Sequence, residues 1–418
     1  MKRKIEQILI FTVVLLGLWS IIVVLSTTIN TPEYRILYIK QAAAFVAGLC
    51  VMLIMRNFSY KILEELSPIL FVVSVLMLVA VLVFGVEING SRRWFDLGIF
   101  HFQPVEFAKF TTIIFVAMLL EKYNSTILSV ISVAVVAGLV ITQPDAGSSL
   151  IFFPVLAVML IISRQNTNWM IFAAPFALIT IISLFIESYL NVKGTSLLNT
   201  KSLLLPVIIT VLITAVFSEF MKINRALKKK YLLFLIAVFW ISIGVGIAGS
   251  KMLRVYQKKR IVSFMMPEMD PLGAGYNVRQ SLLAVGSGRM LGKGLFGGTQ
   301  TQLGFLPVRH TDFIFASIGE ELGFAGAAAM LFMLGILLWQ CVRVMERSED
   351  YGGRLIAGGI FTLILVQVII NIGVTLGLLP VIGIQLPLVS YGGTGMVFYM
   401  TLIGVILNIN RKTEIIGR

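Results

Sequence analysis

The sequence predicts an all-α polytopic integral membrane protein with about twelve transmembrane helices. Of its 418 residues, 58% are hydrophobic and only 13% are charged, whereas soluble domains have about 25% charged residues. Apolar runs of roughly 20 residues, enough for a helix to cross a hydrocarbon layer of about 30 Å, recur along the whole chain. The Lys and Arg residues are concentrated between alternate runs, which is typical of cytoplasmic loops.

The predicted spans begin at about residues 8, 38, 66, 105, 126, 147, 168, 202, 231, 313, 354 and 388. The first span follows three basic residues, but its apolar run is too long for a signal-peptide core and lacks a small-residue cleavage site. We therefore interpret it as a retained helix. Cys50 and Cys341 lie inside apolar spans, which predicts packing roles rather than a disulfide or a metal cluster.

The distribution of basic residues predicts the orientation. A cytoplasmic N-terminus places more than twice as many Lys and Arg residues in inside loops as in short outside loops, so we expect both termini to be cytoplasmic. The net charge of +14 then follows from these loops, and we expect no nucleic-acid partner. Residues 250–312 form a large, strongly basic loop on the outer side, which indicates an anionic partner there. Within it, 276–285 has the apolar spacing of a helix that lies along the membrane interface.

Ionisable residues are expensive at membrane depth, so each one is a candidate functional residue. Glu106 and Lys109 are three residues apart at the start of the fourth span, where they can pair on one helix face. Asp145 lies between the fifth and sixth spans, and Asp312 immediately precedes the tenth. In the predicted topology all four lie at the outer leaflet. Structural roles remain open: a helix-joining ion pair for Glu106 and Lys109, and a helix N-cap for either aspartate.

The stretch 377–395 combines Pro380, Pro387 and several glycines at membrane depth. Irregular backbone is tolerated there only when it is buried in protein or lines a water-filled cavity. We therefore predict a broken or re-entrant segment that flanks a site. Ser390, within this segment, is a candidate substrate-binding residue.

Five segments carry a family resemblance: NGSRRWFDLGIFHFQPVEFAK (89–109), ITQPDAGSSL (141–150), YQKKRIVSFMMPEMDPLGAGYNVRQS (256–281), GSGRMLGKGLFGGTQTQLGFLPVRHTDFIFASIGEELGFAG (286–326) and GLLPVIGIQLPLVSYGGTG (377–395). In these segments the chain resembles the SEDS family, which contains RodA, FtsW and SpoVE. The sequence GGTQTQLGFLP, which precedes HTDFIFA, most resembles the RodA branch. The resemblance implies a single SEDS-type membrane domain over residues 1–418.

The chain also departs from the family pattern. Many relatives have ten spans, so residues 188–250 are expected to be an extra two-helix insertion, which preserves the sidedness of everything downstream. Val308 stands where many relatives have Glu, and His101 stands where many have Arg. Neither position can therefore be assigned the family's role.

The resemblance implies a peptidoglycan glycosyltransferase that polymerises lipid II at the outer face of the bacterial cytoplasmic membrane, in cell elongation and shape. Its expected partners are a class B penicillin-binding protein, which is a transpeptidase, and other membrane proteins of the elongation complex. Asp312 matches the family's essential aspartate. The other candidate substrate-binding residues are Glu106, Lys109, Arg92, Arg93, Trp94, Asp145, Arg279, Lys293 and Ser390.

The implied reaction converts an α-linked donor into a β-linked product, so it inverts configuration and needs one base. We predict that Asp312 is that base and that the cations Lys109, Arg92, Arg93, Arg279 and Lys293 stabilise the departing pyrophosphate. Trp94 is expected to stack on sugar or to anchor at the interface. No cofactor is firmly implied, but a divalent cation, Mg²⁺ or Mn²⁺, held by Asp312 or Glu106 would serve the same purpose. The alternatives are a lipid II flippase and a non-catalytic scaffold for a transpeptidase.

Overall fold

The computed structural model describes residues 2–88, 91–98, 100–163, 170–192, 194–199, 202–204, 206–212, 229–253, 255–266 and 273–416. A single-turn 3₁₀ helix spans Pro32–Tyr34. The α-helices are α1 (Lys2–Thr28), α2 (Leu37–Asn57), α3 (Tyr60–Phe84), α4 (Pro104–Lys122), α5 (Thr126–Thr142), α6 (Ala146–Ile162), α7 (Met170–Val192), α8 (Lys229–Met252), α9 (Val255–Met265), α10 (Ala274–Ser287), α11 (Thr299–Gln302), α12 (Ile314–Arg347), α13 (Tyr351–Thr375) and α14 (Gly393–Ile416).

The structure confirms an all-α polytopic membrane protein. Six described helices are long and apolar enough to cross a membrane: those over Arg3–Thr28, Pro32–Asn57, Tyr60–Phe84, Ile314–Arg347, Tyr351–Thr375 and Gly393–Arg411. The helices α5 and α6 have 17 residues each, and α4 carries charges at both ends. The eighth predicted span is helical at 202–204 and 206–212, and its continuation lies outside the described residues. The total of twelve spans therefore stays a prediction.

Helices α13 and α14 form the centre of the larger of two compact units, which comprises residues 1–165 and 277–418. The most apolar windows of these two helices are 67% and 83% buried, whereas those of α2, α3 and α12 are 22% buried. Helix α13 packs against α4, α6 and α12, and α14 packs against α2. The exposed apolar faces of α2, α3 and α12 are therefore available to lipid.

The second unit, residues 166–276, is built on α7 and α8, which pack against each other. Its core contains Leu197, Phe239, Ile243 and Ile247. The predicted insertion 188–250 lies in this unit. The assignment of 188–250 as an added hairpin, and of 250–312 as an outer loop, stays a prediction.

A small sheet connects α3 to α4, which the sequence analysis did not predict. Strands β1 (Val86–Ile88), β2 (Ser91–Asp96) and β3 (His101–Phe102) pair in that order, and both pairs are antiparallel. The Thr394 hydroxyl donates to the His101 carbonyl at 2.7 Å. This contact fastens the sheet to the first turn of α14.

Helix α12 is broken at Gly323, where φ is 66° and ψ is −166°. The loop 288–294 fills the break: Phe324 N–H donates to the Arg289 carbonyl at 2.8 Å, and Lys293 N–H donates to the Glu320 carbonyl at 3.0 Å. A Cβ at Gly323 would lie 2.3 Å from the backbone nitrogen of Gly292. Because both the positive φ and the close backbone approach require it, only glycine fits at 323.

Two further predictions are settled by the fold. Residues 376–392 are non-helical, and all of them except the exposed Leu378 are buried or partly buried, which confirms the predicted break in the 377–395 segment. Cys50 and Cys341 are both free; Cys341 is buried, whereas Cys50 is exposed. The packing role predicted for Cys50 is therefore wrong, because its side chain lies on the outer surface of α2.

Candidate active site

Asp312 lies in a tight turn just before α12. The Val308 carbonyl accepts from Thr311 N–H at 3.1 Å and from Phe313 N–H at 3.4 Å, which closes the turn. Val308 itself has φ 55°, a conformation that is strained for a β-branched residue. Asp312 is partly exposed, and a Cβ at Gly383 would lie 3.6 Å from its Oδ2. The carboxylate of Asp312 is thus next to the irregular segment 376–392.

Three polar contacts fasten this turn to the irregular segment and α13. The Ser390 hydroxyl donates to the Thr311 carbonyl at 2.6 Å, and Tyr391 N–H donates to the His310 carbonyl at 2.8 Å. The Asn371 amide donates to the Asp312 carbonyl at 2.8 Å. Ser390 Oγ also accepts from Leu386 N–H at 2.8 Å. Because this hydroxyl is buried and bonded on both sides, the structure gives Ser390 a supporting role, and substrate binding by it stays a prediction.

Asp145 caps α6, as the structural alternative predicted. Its carboxylate accepts from Ser148 N–H at 3.1 Å and from the Ser148 hydroxyl at 2.9 Å. Arg93 Nη1 lies 3.4 Å from Asp145 Oδ2, and the Arg93 guanidinium also stacks on Trp94 at 5.1 Å from the ring centroid. A Cβ at Gly147 would lie 2.5 Å from the Ile382 carbonyl. The first turn of α6 therefore contacts the same irregular segment as Asp312.

Glu106 and Lys109 form the predicted pair on the first two turns of α4. Lys109 Nζ donates to Glu106 Oε1 at 2.6 Å, and the two side chains are only 4% and 10% exposed. Lys109 also borders a cavity of ≈ 10 Å³ lined mainly by apolar residues, which is large enough for about one water molecule. The cavity is therefore too small to admit a substrate phosphate to Lys109.

The remaining predicted cations differ in how far their charge is neutralised. Lys293 Nζ donates to Glu320 Oε1 at 2.8 Å and to Thr299 Oγ1 at 2.7 Å, so its charge is compensated within the protein. Arg92 Nε lies 3.5 Å from Glu87 Oε2, and both side chains are more than half exposed. Arg279 is exposed on α10, and the described residues include no carboxylate paired with it. Arg92 and Arg279 are thus the predicted cations most open to an anionic ligand.

Arg309 was missed at the sequence level. It is 6% exposed, and its guanidinium donates to the Thr27 carbonyl at 2.8 Å and to Thr31 Oγ1 at 2.6 Å. The bond to Thr27 satisfies a carbonyl at the end of α1, where a cation is favoured by the helix dipole. The partners are 282 and 278 residues away in sequence, so no local pattern could have revealed them.

His310 was also missed. Its ring lies between those of Tyr34 and Tyr391, with centroids 4.9 Å and 5.9 Å away. Burial, reinforced by the positive charge of Arg309, lowers the pKa of His310 to about 4. The imidazole is therefore neutral at physiological pH, and the turn before Asp312 carries one buried cation, Arg309.

The predicted divalent cation would need a set of protein ligands around Asp312 or Glu106. No group of three or more His, Cys, Asp and Glu side chains in the described ranges is arranged to hold a metal ion. Glu106 is already engaged with Lys109. Among the residues that the structure describes, side chains alone therefore do not form a divalent-cation site.

Comparisons with known proteins assign the family. The model of the family FTSW_RODA_SPOVE, cell cycle protein, matches residues 6–203 and 202–415. The peptidoglycan glycosyltransferase RodA of Treponema pallidum is 30% identical over 427 residues, with 97% of this chain and 98% of the relative covered. A probable peptidoglycan glycosyltransferase FtsW of Neisseria gonorrhoeae is 31% identical over 428 residues, with 99% of this chain and 86% of the relative covered.

The fold agrees with a solved structure. A chain from a structure on the coordination of polymerization and crosslinking by a peptidoglycan synthase complex superposes with a TM-score of 0.68 at 25% identity, with 97% of both chains covered. The family model and these relatives each cover nearly the whole of this chain. The chain therefore belongs to the SEDS family of FtsW, RodA and SpoVE proteins.

Proposed function

We propose that this chain polymerises lipid II into glycan strands at the outer face of the bacterial cytoplasmic membrane, with Asp312 as the general base. The enzyme class, peptidoglycan glycosyltransferase, follows from its curated relatives of both branches. Because the sequence identity to those two relatives is nearly equal, the assignment to cell elongation rests on the RodA-like sequence that precedes HTDFIFA. The twelve spans, the cytoplasmic termini and the outer site are part of the same proposal.

One observation carries the assignment of the site. The turn that holds Asp312 is fastened to the irregular segment 376–392, and the first turn of α6, with Asp145 and Arg93, contacts that segment from another side. The carboxylate of Asp312 thus stands beside a break in the helices, and irregular backbone at membrane depth is tolerated where it lines a cavity. The candidate base Asp312 and the guanidinium of Arg93, which pairs with Asp145, thus border the same segment, and a displacement of pyrophosphate needs both a base and a cation.

In the proposed step, the 4-hydroxyl of the acceptor sugar attacks the anomeric carbon of the donor from the face opposite the pyrophosphate. The carbon–oxygen bond to pyrophosphate breaks, and undecaprenyl pyrophosphate leaves with the bonding electron pair. Asp312 takes the hydroxyl proton, which requires an approach of about 3 Å between the two oxygens. One displacement inverts the anomeric centre, so no covalent intermediate with the protein is needed.

The leaving pyrophosphate gains negative charge, which preorganised cations stabilise. Arg92 and Arg279 are exposed and can bind it without breaking a buried ion pair. Lys109 would have to exchange its bond to Glu106 for one to phosphate. Trp94, stacked on Arg93, is suited to a sugar face. The expected protein partner is a class B penicillin-binding protein, which accords with the synthase complex that contains the similar chain.

The experiment that tests the function class uses the purified full chain in liposomes with fluorescent lipid II. Glycan polymer is measured on gels, and transbilayer movement of the lipid is measured by chemical quenching of outer-leaflet fluorescence. The proposal predicts polymer without accelerated movement. Movement without polymer would establish a flippase, and neither product, with or without a class B penicillin-binding protein, would leave only a scaffold role.

A further inference from the structure

We infer that Asn371 is a positioning residue for Asp312; this inference rests on the proposed function. Asn371 lies on α13 and is 1% exposed. Its amide nitrogen donates to the Asp312 carbonyl at 2.8 Å and to the Ile384 carbonyl at 2.8 Å. One carboxamide thus joins the main chain of the predicted base to the irregular segment next to it.

The orientation of this amide is fixed by its partners. Both are carbonyl oxygens, which accept only, so the NH₂ group must face them and the reversed assignment is excluded. The Asn371 Oδ1 then points away, is buried, and accepts no hydrogen bond within the described part of the chain. A buried acceptor without a donor destabilises the fold. The unpaired oxygen thus offsets much of the stability that the two donated hydrogen bonds provide, so stability alone is a weak reason for an amide at this position.

The position of the Asn371 amide beside the main chain of Asp312 gives the amide a role in the site. The Asp312 side chain has one methylene group, so the position of its carboxylate follows its main chain closely. Ser390 and Tyr391 hold the two preceding carbonyls, and Asn371 holds the carbonyl of Asp312 itself. Gly383, next to Asp312 Oδ2, precedes the second carbonyl that Asn371 binds. The amide therefore sets the separation between the base and the wall of the site that faces it.

The chain offers a matched control in Asn408 on α14. It is also buried, at 4% exposed, and it also bridges two main-chain segments. Its Oδ1 accepts from Tyr60 N–H at 3.0 Å, and its amide nitrogen donates to the Arg56 carbonyl at 2.8 Å. Both polar ends of Asn408 are thus paired, and its partners lie at the junction of α2 and α3, away from Asp312 in the fold.

The test compares Asn371→Leu with Asn408→Leu in thermal unfolding and in steady-state polymerisation of lipid II. A misplacement of about 1 Å costs up to about 100-fold in rate, so Asn371→Leu is expected to lower kcat roughly 10- to 100-fold with little change in KM. Its Tm should stay closer to wild type than that of Asn408→Leu, which should keep most of its kcat. Wild-type kcat in Asn371→Leu, or kcat losses that follow Tm in both variants, would overturn the inference.

A second variant keeps the test decisive if Asn371→Leu does not fold. In Asn371→Asp, a protonated carboxyl can donate one hydrogen bond to a carbonyl and an ionised one cannot. Its kcat relative to wild type should therefore rise as the pH falls, and a flat ratio would contradict the inference. Asp312→Asn is assayed in parallel. Polymer from Asp312→Asn would refute the proposed base, whereas an inactive Asp312→Asn beside a fully active Asn371→Leu would refute only the positioning role.

Discussion

The buried pair of Glu106 and Lys109 gives a quantitative test of whether these residues serve the fold or the substrate. Removing one partner leaves the other charge buried, which costs about 3–5 kcal/mol. With side chains 4% and 10% exposed and a 2.6 Å bond, this pair belongs to the buried class. We expect Lys109→Met and Glu106→Gln each to lower the free energy of unfolding by about that amount.

Replacing both partners removes the uncompensated charge. The double variant Glu106→Gln/Lys109→Met should therefore return to within about 2 kcal/mol of wild type, with a coupling energy of at least about 4 kcal/mol in the cycle. Polymerisation should not recover, because the pyrophosphate would still lack the Lys109 cation. Unfolding is followed in detergent and polymer is followed on gels, with protein concentrations matched.

The pair of Glu6 and Arg56 provides the control, since its side chains are 16% and 30% exposed. The corresponding cycle there should give a coupling of about 1 kcal/mol or less and normal polymer. If the Glu106→Gln/Lys109→Met double variant regained full polymerisation, the pair would be purely structural. If the single variants lost less than about 1 kcal/mol, the argument from burial would be wrong.

Two further predictions concern the turn before Asp312 and the break in α12. The lowered pKa of His310, about 4 against an ordinary 6.5, means that the unfolded chain binds a proton more readily than the folded chain between these values. Stability should fall as the pH drops from about 6.5 towards 4, by at most about 3 kcal/mol, and His310→Gln should reduce that slope in Tm measured against pH. An unchanged slope would refute the assignment to His310. Gly323→Ala should destabilise the protein by more than about 2 kcal/mol, because its methyl group would meet Gly292. Gly335→Ala, inside the same helix at a position with open space, is the control and should be neutral or slightly stabilising, because alanine is the better helix former.

The positions of the six long apolar helices could be predicted because each depends on a local property, an apolar run of sufficient length. The pair of Glu106 and Lys109 and the cap at Asp145 are also local, since their partners lie three residues away. The break at 376–392 was visible because two prolines and several glycines are clustered within one short stretch, and such a cluster disfavours a continuous helix.

The hydrogen bonds that hold the turn before Asp312 in place could not be predicted, because they join distant parts of the chain. Asn371 binds a carbonyl 59 residues away, and Arg309 binds one 282 residues away. Asn371 is an isolated amide inside an apolar helix, and no local sequence pattern predicts which carbonyl such a residue binds. The small sheet at 86–102 was missed for another reason: its strands have two to six residues, too few for a period-2 pattern to be recognised.

The most direct test of the central claim is the rate of glycan polymerisation by purified Asp312→Asn at saturating lipid II, with and without a class B penicillin-binding protein. Asp96→Asn makes the same change at an exposed aspartate of β2, whose Oδ1 accepts from Gly98 N–H. We predict polymer from wild type and Asp96→Asn, and none from Asp312→Asn although it remains folded. Polymer from Asp312→Asn at the wild-type rate would contradict the account.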